Sequence, residues 1–581
     1  MNQKQYNNNL RMKKILFLLF AAVSAAPVWA CTNFIVTKGA SETDACIISY
    51  AADAHVLYGE LYHYPAAVHA KGAVRKVYEW DTHKYLCEIP EVAATYNVVG
   101  NMNEHALAIG ETTYGGRAEL HDTTGKLDYG SLIYIALQRS KTAREAIKVI
   151  TNLIEKHGYC SEGESFSIAD PSEAWVFEMI GKSSREVKNA KGKPFARGAV
   201  WVAVRIPDGY VSAHANQARI QTFPLADGKK SITASQMNKN FPVTAEVVYA
   251  DDVIEFARAC GYFSGNDKDF SFSDTYNPVD FGGARFCDAR VWSFFKSVNA
   301  DMQQYLDYAM GRNLTHRMPL YIKPNRKLGV RDIAAAMRDH YEGTPMDMRT
   351  DIGAGAYGRP YRWRPMTWEL DSVKYLHERA AATQQTGFWF VAESRLLASQ
   401  LGGILWFGVD DAATSCLTPI FGCSTDVPNC FRQGNGDMLT YSPTSAFWLF
   451  NRVTNFAYSR YDAMSADILK VQKDFEEESY RIVDNILLQM KDIEMEKAAK
   501  QDLLTKVLTE FSITRADKLF KRWQELDNYL LVKYIDGNIK KEKDGTFERT
   551  PDGICPSPLQ PHLPEKIRRA IVNDNGEILK Q

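Results

Sequence analysis

The segment Pro27-Val28-Trp29-Ala30-Cys31-Thr32-Asn33-Phe34 sets the first condition on any fold this chain can adopt. Ahead of it stand polar residues 1–9, basic Arg11, Lys13 and Lys14, and an apolar run over residues 15–26. That order, closed by Val28 and Ala30 at the two positions that want small side chains, is the tripartite export signal, residues 1–30. The run is too short for a stable membrane span, and no later apolar stretch reaches that length. A cut after Ala30 makes Cys31 the first residue of an exported, periplasmic or secreted protein. Cys31 then begins the first strand and carries a thiol and a free α-amine on one carbon.

Such a cysteine needs no histidine partner. Its own amine, with an ordinary pKa of about 7.7 to 8.0, lies near working pH and can take the thiol proton. The arrangement calls for donors to a tetrahedral oxyanion and a carboxylate to hold the ammonium form. Two other uses of Cys31 stay open at this point. Val28-Trp29-Ala30-Cys31 partly matches a lipoprotein signal, which would acylate the amine and anchor the chain, although Trp29 is unusual there. A disulfide is the other, because an exported chain permits them; of the ten cysteines, Cys416, Cys423 and Cys430 are spaced for a local staple. No Cys-x-x-Cys or His-x-x-x-His occurs, so a metal site is not expected.

With 69 basic and 70 acidic residues, the chain of 581 has no electrostatic reason to bind nucleic acid or an anionic membrane. A small neutral or zwitterionic substrate suits it better. Residues 32–50 read as two strands joined by a polar turn, and residues 98–110 repeat that pattern before Glu111-Thr112-Thr113-Tyr114. Apolar spacing over 131–158 predicts helix, restarted at Thr142 by a capping box with Glu145. Strands are expected at 165–169, 174–179, 199–205 and 210–213, the last two joined at Pro207-Asp208-Gly209, and helices at 244–260 and 288–310. The sum is a layered α+β core with an antiparallel sheet rather than a doubly wound parallel one. Residues 341–368, dense in Gly, Pro and aromatics, read as ordered loops. In the Glu-, Lys- and Leu-rich stretch 462–535, Ile468, Val471, Phe475, Ile482, Ile486 and Ile493 form a stripe expected to pack on the body. A Pro-rich tail follows at 550–564.

Cys31-Thr-Asn-Phe-Ile-Val, Ser49-Tyr-Ala-Ala-Asp53, Gly100-Asn-Met-Asn-Glu-His105, Gly110-Glu-Thr112, Trp175-Val-Phe-Glu178, His214-Ala-Asn216-Gln, Phe281-Gly-Gly-Ala-Arg285-Phe and Trp406-Phe-Gly-Val-Asp-Asp411 together resemble the C69 dipeptidases, which are N-terminal nucleophile hydrolases. The resemblance covers about residues 31–461. It implies an αββα four-layer sandwich with an additional, mainly helical C-terminal region over 462–581. It also implies hydrolysis of dipeptides or short peptides through a thioester at Cys31, without a cofactor. A homo-oligomer is left open.

Carried over residue by residue, Cys31 is the nucleophile, Asp53 contacts its amine, and Asn216 serves the oxyanion. Where many members carry an arginine three residues before the aspartate, Tyr50 stands here. Arg285 is the first candidate to replace that charge and Arg290 the second. Thr112 aligns loosely with a second oxyanion residue, and His214 and His55 are candidates to line the cleft. Asp410 and Asp411, at the end of an apolar run, are expected to cap or turn. Two rival readings remain: an amidase of the penicillin-acylase or bile-salt-hydrolase kind, and a lipid-anchored, non-catalytic surface protein.

Overall fold

The computed structural model describes residues 31–397, 399–490 and 498–581. The export signal and Ile493 of the helical stripe therefore lie outside the described residues. The chain lays down β1 (Asn33–Val36) and β2 (Cys46–Asp53), then β3 (Ala108–Tyr114). Next come α1 (Tyr129–Arg139) and α2 (Ala143–His157). Both helices begin at a side-chain cap: Asp128 accepts from the Ser131 N–H and Thr142 from the Glu145 N–H. At Thr142 the box is half formed, because the Glu145 carboxylate accepts from the Lys141 N–H instead. β4 (Gly163–Ala169), β5 (Ala174–Gly181), β6 (Ala199–Arg205) and β7 (Val211–His214) follow. After α3 (Ala289–Val298) and α4 (Val330–Met337) come β8 (Thr386–Ser394), β9 (Gly403–Val409) and β10 (Thr418–Phe421). The chain then turns helical in α5 (Ala446–Ala457), α6 (Tyr461–Met490) and α7 (Ala498–Tyr534).

Two sheets organise these elements. One runs in the order Tyr321–Ile322, β7, β1, β2, β8, β9, β10, with every pairing antiparallel. The other has nine strands, with β6, β5, β4 and β3 at its centre. Alternation along β1 and β2 decides what lies on each side of the first sheet. Ile35, Ile48 and Tyr50 share a core with Ile109 of β3, Phe166 of β4, and Ile147 and Ile150 of α2. Phe34, Val36, Ile47 and Ala51 face the other way, into a second core with Trp292 and Phe294 of α3 and Met337 of α4. The Phe34 and Phe294 rings stack with centroids 4.3 Å apart. Each large side chain removed from water here contributes about 1.5–3 kcal/mol.

Several expectations need correction. Pro207-Asp208-Gly209 does not close a hairpin between residues 199–205 and 210–213. β6 belongs to the second sheet and β7 to the first, where it pairs Asn33↔His214 through Val36↔Val211. The turn carries the chain between sheets, something local sequence does not encode. Residues 244–260 are not one helix: the β-branched pair Val247-Val248 adds a strand beside β6, and helix starts only at Val253. Residues 288–310 break at Asn299, whose side chain caps the next turn. The expected stripe on α6 is displaced. Ile468 and Phe475 are buried, but so are Gln472, Glu476 and Ser479, while Ile482 and Ile486 are only half-buried. The polar members have partners: Glu476 pairs with Arg338 at 2.6 Å and accepts the Leu417 N–H at 2.8 Å.

The cysteine staple is absent, since all ten cysteines are free. Cys416 and Cys423 flank β10, which at about 3.3 Å per residue sets them well beyond the 7 Å Cα separation a bridge tolerates.

Candidate active site

Cys31 immediately precedes β1 and is 3% exposed. Thr32 and Ala51 exchange both backbone hydrogen bonds, so the residue is carried by an edge-to-edge register rather than by a loop. Arg290, on α3 and 1% exposed, spreads its guanidinium over four acceptors: Cys31 O at 2.7 Å, Thr32 Oγ1 at 2.8 Å, Asn216 Oδ1 at 2.9 Å and Ala215 O at 3.1 Å. The rigid fork suits such a task. One side chain thereby ties the start of β1 to the end of β7. Of the two arginines ranked from sequence, the second holds the cysteine. Arg285 is turned to the Glu378 carboxylate instead. Arg285 lies in the π-helical turn Gly283–Asp288 ahead of α3 and Arg290 on α3 itself, and their partners differ: Glu378 for the first, Cys31 O and Asn216 for the second.

Asp53 ends β2 where its register against β8 slips by one residue. Its carboxylate receives Thr386 Oγ1 at 2.6 Å and Arg379 Nη2 at 3.0 Å. Burial pushes its pKa up to about 6, against the downward pull of Arg379 and Thr386. The Cys31 thiol is raised well above its ordinary range, by burial first and then by the Glu111 and Asp53 carboxylates. The Asp53 backbone N–H and the Tyr50 hydroxyl pull it back only in part. This sulphur is no standing thiolate.

Glu111 is the residue the sequence reading passed over. Its Oε1 lies 3.4 Å from Cys31 Sγ and also accepts the Tyr50 hydroxyl, which itself stands 3.8 Å from the sulphur. Phe388 and Phe390 hold the Tyr50 ring edge-on, each with centroids 5.7 Å away. A signal was present: Glu111 is the one acid in β3, a strand buried throughout. Arg379 and Thr386 carried no such mark.

Asn216 adopts a left-handed backbone, φ 61°, just after β7. One of its side-chain N–H groups donates to Thr113 O at 2.6 Å, which leaves the second N–H for another acceptor. Thr112 and His214 form a separate group. His214 bridges Thr112 Oγ1 and Ser167 Oγ, each at 2.7 Å, and burial lowers its pKa to about 3. A neutral ring with both nitrogens engaged is a strut between the sheets, not a cleft residue. His55 is exposed. Asp410 accepts from Asn451 and Thr454 of α5 at 2.9 and 2.7 Å, and Asp411 from the Ala413 N–H at 2.8 Å, so the pair closes a turn onto a helix.

A cavity of about 20 Å³ lies over Cys31, walled by Tyr50, Asp53, Trp80, Glu111 and Tyr129. Leu57, Trp80 and Tyr134 are shared with a second cleft of about 1060 Å³. Among the described residues no group of three His, Cys, Asp or Glu could hold a metal ion, and no helix is long and apolar enough to cross a membrane.

The profile described as Peptidase family C69 matches residues 30–474. A probable dipeptidase of Salmonella dublin is 24% identical over 378 residues, 61% of this chain and 76% of that protein. A probable dipeptidase of Latilactobacillus sakei is 21% identical over 464 residues, 76% of this chain and 84% of its own length. A dipeptidase of Bifidobacterium longum is 25% identical over 254 residues, 43% of this chain and 41% of that protein.

Proposed function

This chain belongs to peptidase family C69, and from that premise we propose that it is an exported dipeptidase whose nucleophile is Cys31, made N-terminal by cleavage after Ala30. The observation that carries the reading is the setting of Cys31: a buried thiol at the head of a central strand, its carbonyl held by Arg290, with Asp53 and Asn216 on the adjoining strand ends. Two sheets packed face to face, with α2 behind one and α3 and α4 behind the other, fit the αββα layering of N-terminal nucleophile hydrolases. Residues 31–461 form that catalytic body in this reading, and 462–581 a helical addition. Relatives named as dipeptidases support a dipeptide substrate.

In the cleaved chain the α-amine takes the thiol proton as sulphur attacks the carbonyl carbon of the scissile peptide bond. The oxyanion is received by the second Asn216 N–H. The ammonium returns the proton to the leaving amine, the C–N bond breaks, and a thioester remains. Water, deprotonated by the same amine, attacks the thioester; the C–S bond breaks and the thiol regains its proton. Asp53, kept from ionising freely by burial, finds in the new ammonium the cation that stabilises its charged form.

A second reading draws on the 1060 Å³ cleft, which exceeds the needs of one amino-acid side chain: an amidase acting on a bulky non-peptide amide. One experiment separates the readings. The secreted protein is expected to begin at an unmodified Cys31 by N-terminal mass analysis and to release free amino acids from dipeptides. An acylated Cys31, or turnover of conjugated amides with dipeptides untouched, would replace this proposal with a rival.

A further inference from the structure

Cys31 faces a negative, aromatic wall for which its own chemistry as a nucleophile gives no reason. Glu111 and Glu164 are both 1% exposed or less. Glu164 stands opposite Thr113 in the β3–β4 register and bonds to it at 3.1 Å, so Glu111, two residues earlier, shares its face as a diagonal neighbour. Glu111 Oε2 and Glu164 Oε1 are buried and, among the described residues, have no partner beyond the bond between the two carboxyls themselves. Among the described residues no cation is paired with either glutamate: the charged form of Glu111 is favoured by Glu164, the Tyr50 hydroxyl, the thiol and the Thr113 backbone, that of Glu164 by the Thr113 hydroxyl and the Ser165 backbone, with Glu111 opposing it. The nearby arginines are committed elsewhere, Arg290 to Cys31 O and Asn216, and Arg379 to Asp53. Burial raises both carboxyls, Glu164 the more because Glu111 opposes its charge, while bonds from Glu164, Tyr50 and the thiol favour the charged form of Glu111; a cation brought into the cavity is what would complete that charge. Around that charge the cavity is lined by Tyr50, Trp80, Tyr129, Tyr134 and Phe388, and the Tyr129 hydroxyl donates to a third acid, Asp81, at 3.0 Å. Aromatic faces beside a carboxylate are a setting for an ammonium ion.

We propose that Glu111, backed by Glu164 and fixed by Tyr50, receives the free α-ammonium of the substrate and so makes the enzyme selective for peptides with an unblocked N-terminus. The inference rests on the reading of Cys31 as the nucleophile. In the thioester the substrate nitrogen is three bonds from sulphur, at most about 4.5 Å away by ordinary bond lengths. With Glu111 Oε1 3.4 Å from that sulphur, a nitrogen turned to the glutamate side of the thioester comes within hydrogen-bond distance of the carboxylate. An N-acylated substrate would bring a neutral amide and extra bulk against the same carboxylate and leave it unpaired.

The test compares a dipeptide with its N-acetyl form on the mature enzyme and on Glu111→Gln and Glu164→Gln, with thermal melts to confirm folding. The parent is expected to prefer the free dipeptide by about 100-fold in kcat/KM, the scale of a charge-assisted hydrogen bond together with the penalty of a mismatch. Glu111→Gln should raise KM for the free dipeptide about 10- to 100-fold, with a smaller change in kcat, and bring the two substrates close to parity. Glu164→Gln, which leaves the contact with Cys31 in place, should move the same ratio by a smaller factor. Equal cleavage of both substrates by the parent would overturn the inference and leave the dipeptidase reading standing. An equal fall for both substrates in Glu111→Gln would also overturn it and assign the glutamate to the thiol or to the chain's own amine. Cleavage of neither by a folded parent refutes the hydrolase reading and this inference with it.

Discussion

The pKa of Asp53, pushed up to about 6 from an ordinary 3.8, is a statement about stability as well as chemistry. Between those values the folded chain holds a proton that the unfolded chain has released. A raised carboxyl therefore weakens the fold above pH 6, and that loss fades as pH falls towards 3.8. A gap of roughly two pH units corresponds to about 3 kcal/mol. Asp53→Asn in the uncleaved chain removes the titration while keeping the acceptor for Thr386; its disrupted contact with Arg379 adds an offset that does not vary between pH 4 and 7.5. Urea denaturation of parent and variant should then show the parent gaining on the variant by about 2.4 kcal/mol from pH 7.5 to pH 4, the rest of the shift lying below pH 4. Other raised carboxyls, Glu178 and Asp410 at about 7 among them, cancel in the difference. In the cleaved protein the new ammonium stabilises the aspartate, so the pH-dependent part should shrink. A difference that stays flat across the range, or that grows towards high pH, would refute the assignment of a desolvated, amine-seeking Asp53.

Four further outcomes are expected. Cys31→Ser should keep the melting temperature within a few degrees and lose at least about 100-fold in kcat, as expected when an activated nucleophile is exchanged; a serine variant as active as the parent rules the nucleophile out. Arg290→Met should cost about 3–5 kcal/mol, because it strands four buried acceptors. Arg285→Ala should cost less than about 2 kcal/mol and leave the alkylation rate of Cys31 unchanged; the reverse order in melts and alkylation would restore the ranking read from sequence. Trp523→Ala should lose about 3–5 kcal/mol, since that fully buried ring stacks on Phe450 at 4.5 Å and joins α7 to α5; an unchanged denaturation midpoint would show that the long helices are not part of the cooperative core.

What sequence could and could not reveal follows from the range of the interactions. β1, β2, the cap at Thr142 and the strands β4 to β6 are local matters of alternation and capping, and they stand where alternation and capping put them. The crossing at Pro207-Asp208-Gly209 is decided by β7 pairing with β1, 175 residues or more away, and a good turn looks the same whichever sheet follows it. The face of α6 was misjudged because Gln472 and Glu476 look solvated until Arg338 and the Leu417 N–H are brought to them. In the candidate site, motifs named Cys31, Asp53 and Asn216, and the fold brings their strand ends together, whereas Arg290 over Arg285 depends on contacts across the π-helical turn before α3 that no local pattern encodes. Glu111 sat inside a quoted motif, but nothing local assigned it to the sulphur.

The grip of Arg290 on the Cys31 carbonyl bears on how such an enzyme is switched on. A residue at the very start of a chain has only one peptide bond to steady it, and termini commonly fray. Here the steadying bonds come from the carbonyl side and from Thr32, and all of them are in place while the preceding segment is still attached. Removal of that segment changes one amide into an amine and needs no rearrangement of the residues around it. Under the proposed cleavage after Ala30, the uncut chain is a latent enzyme whose site from Cys31 onward is already assembled and which lacks only its base.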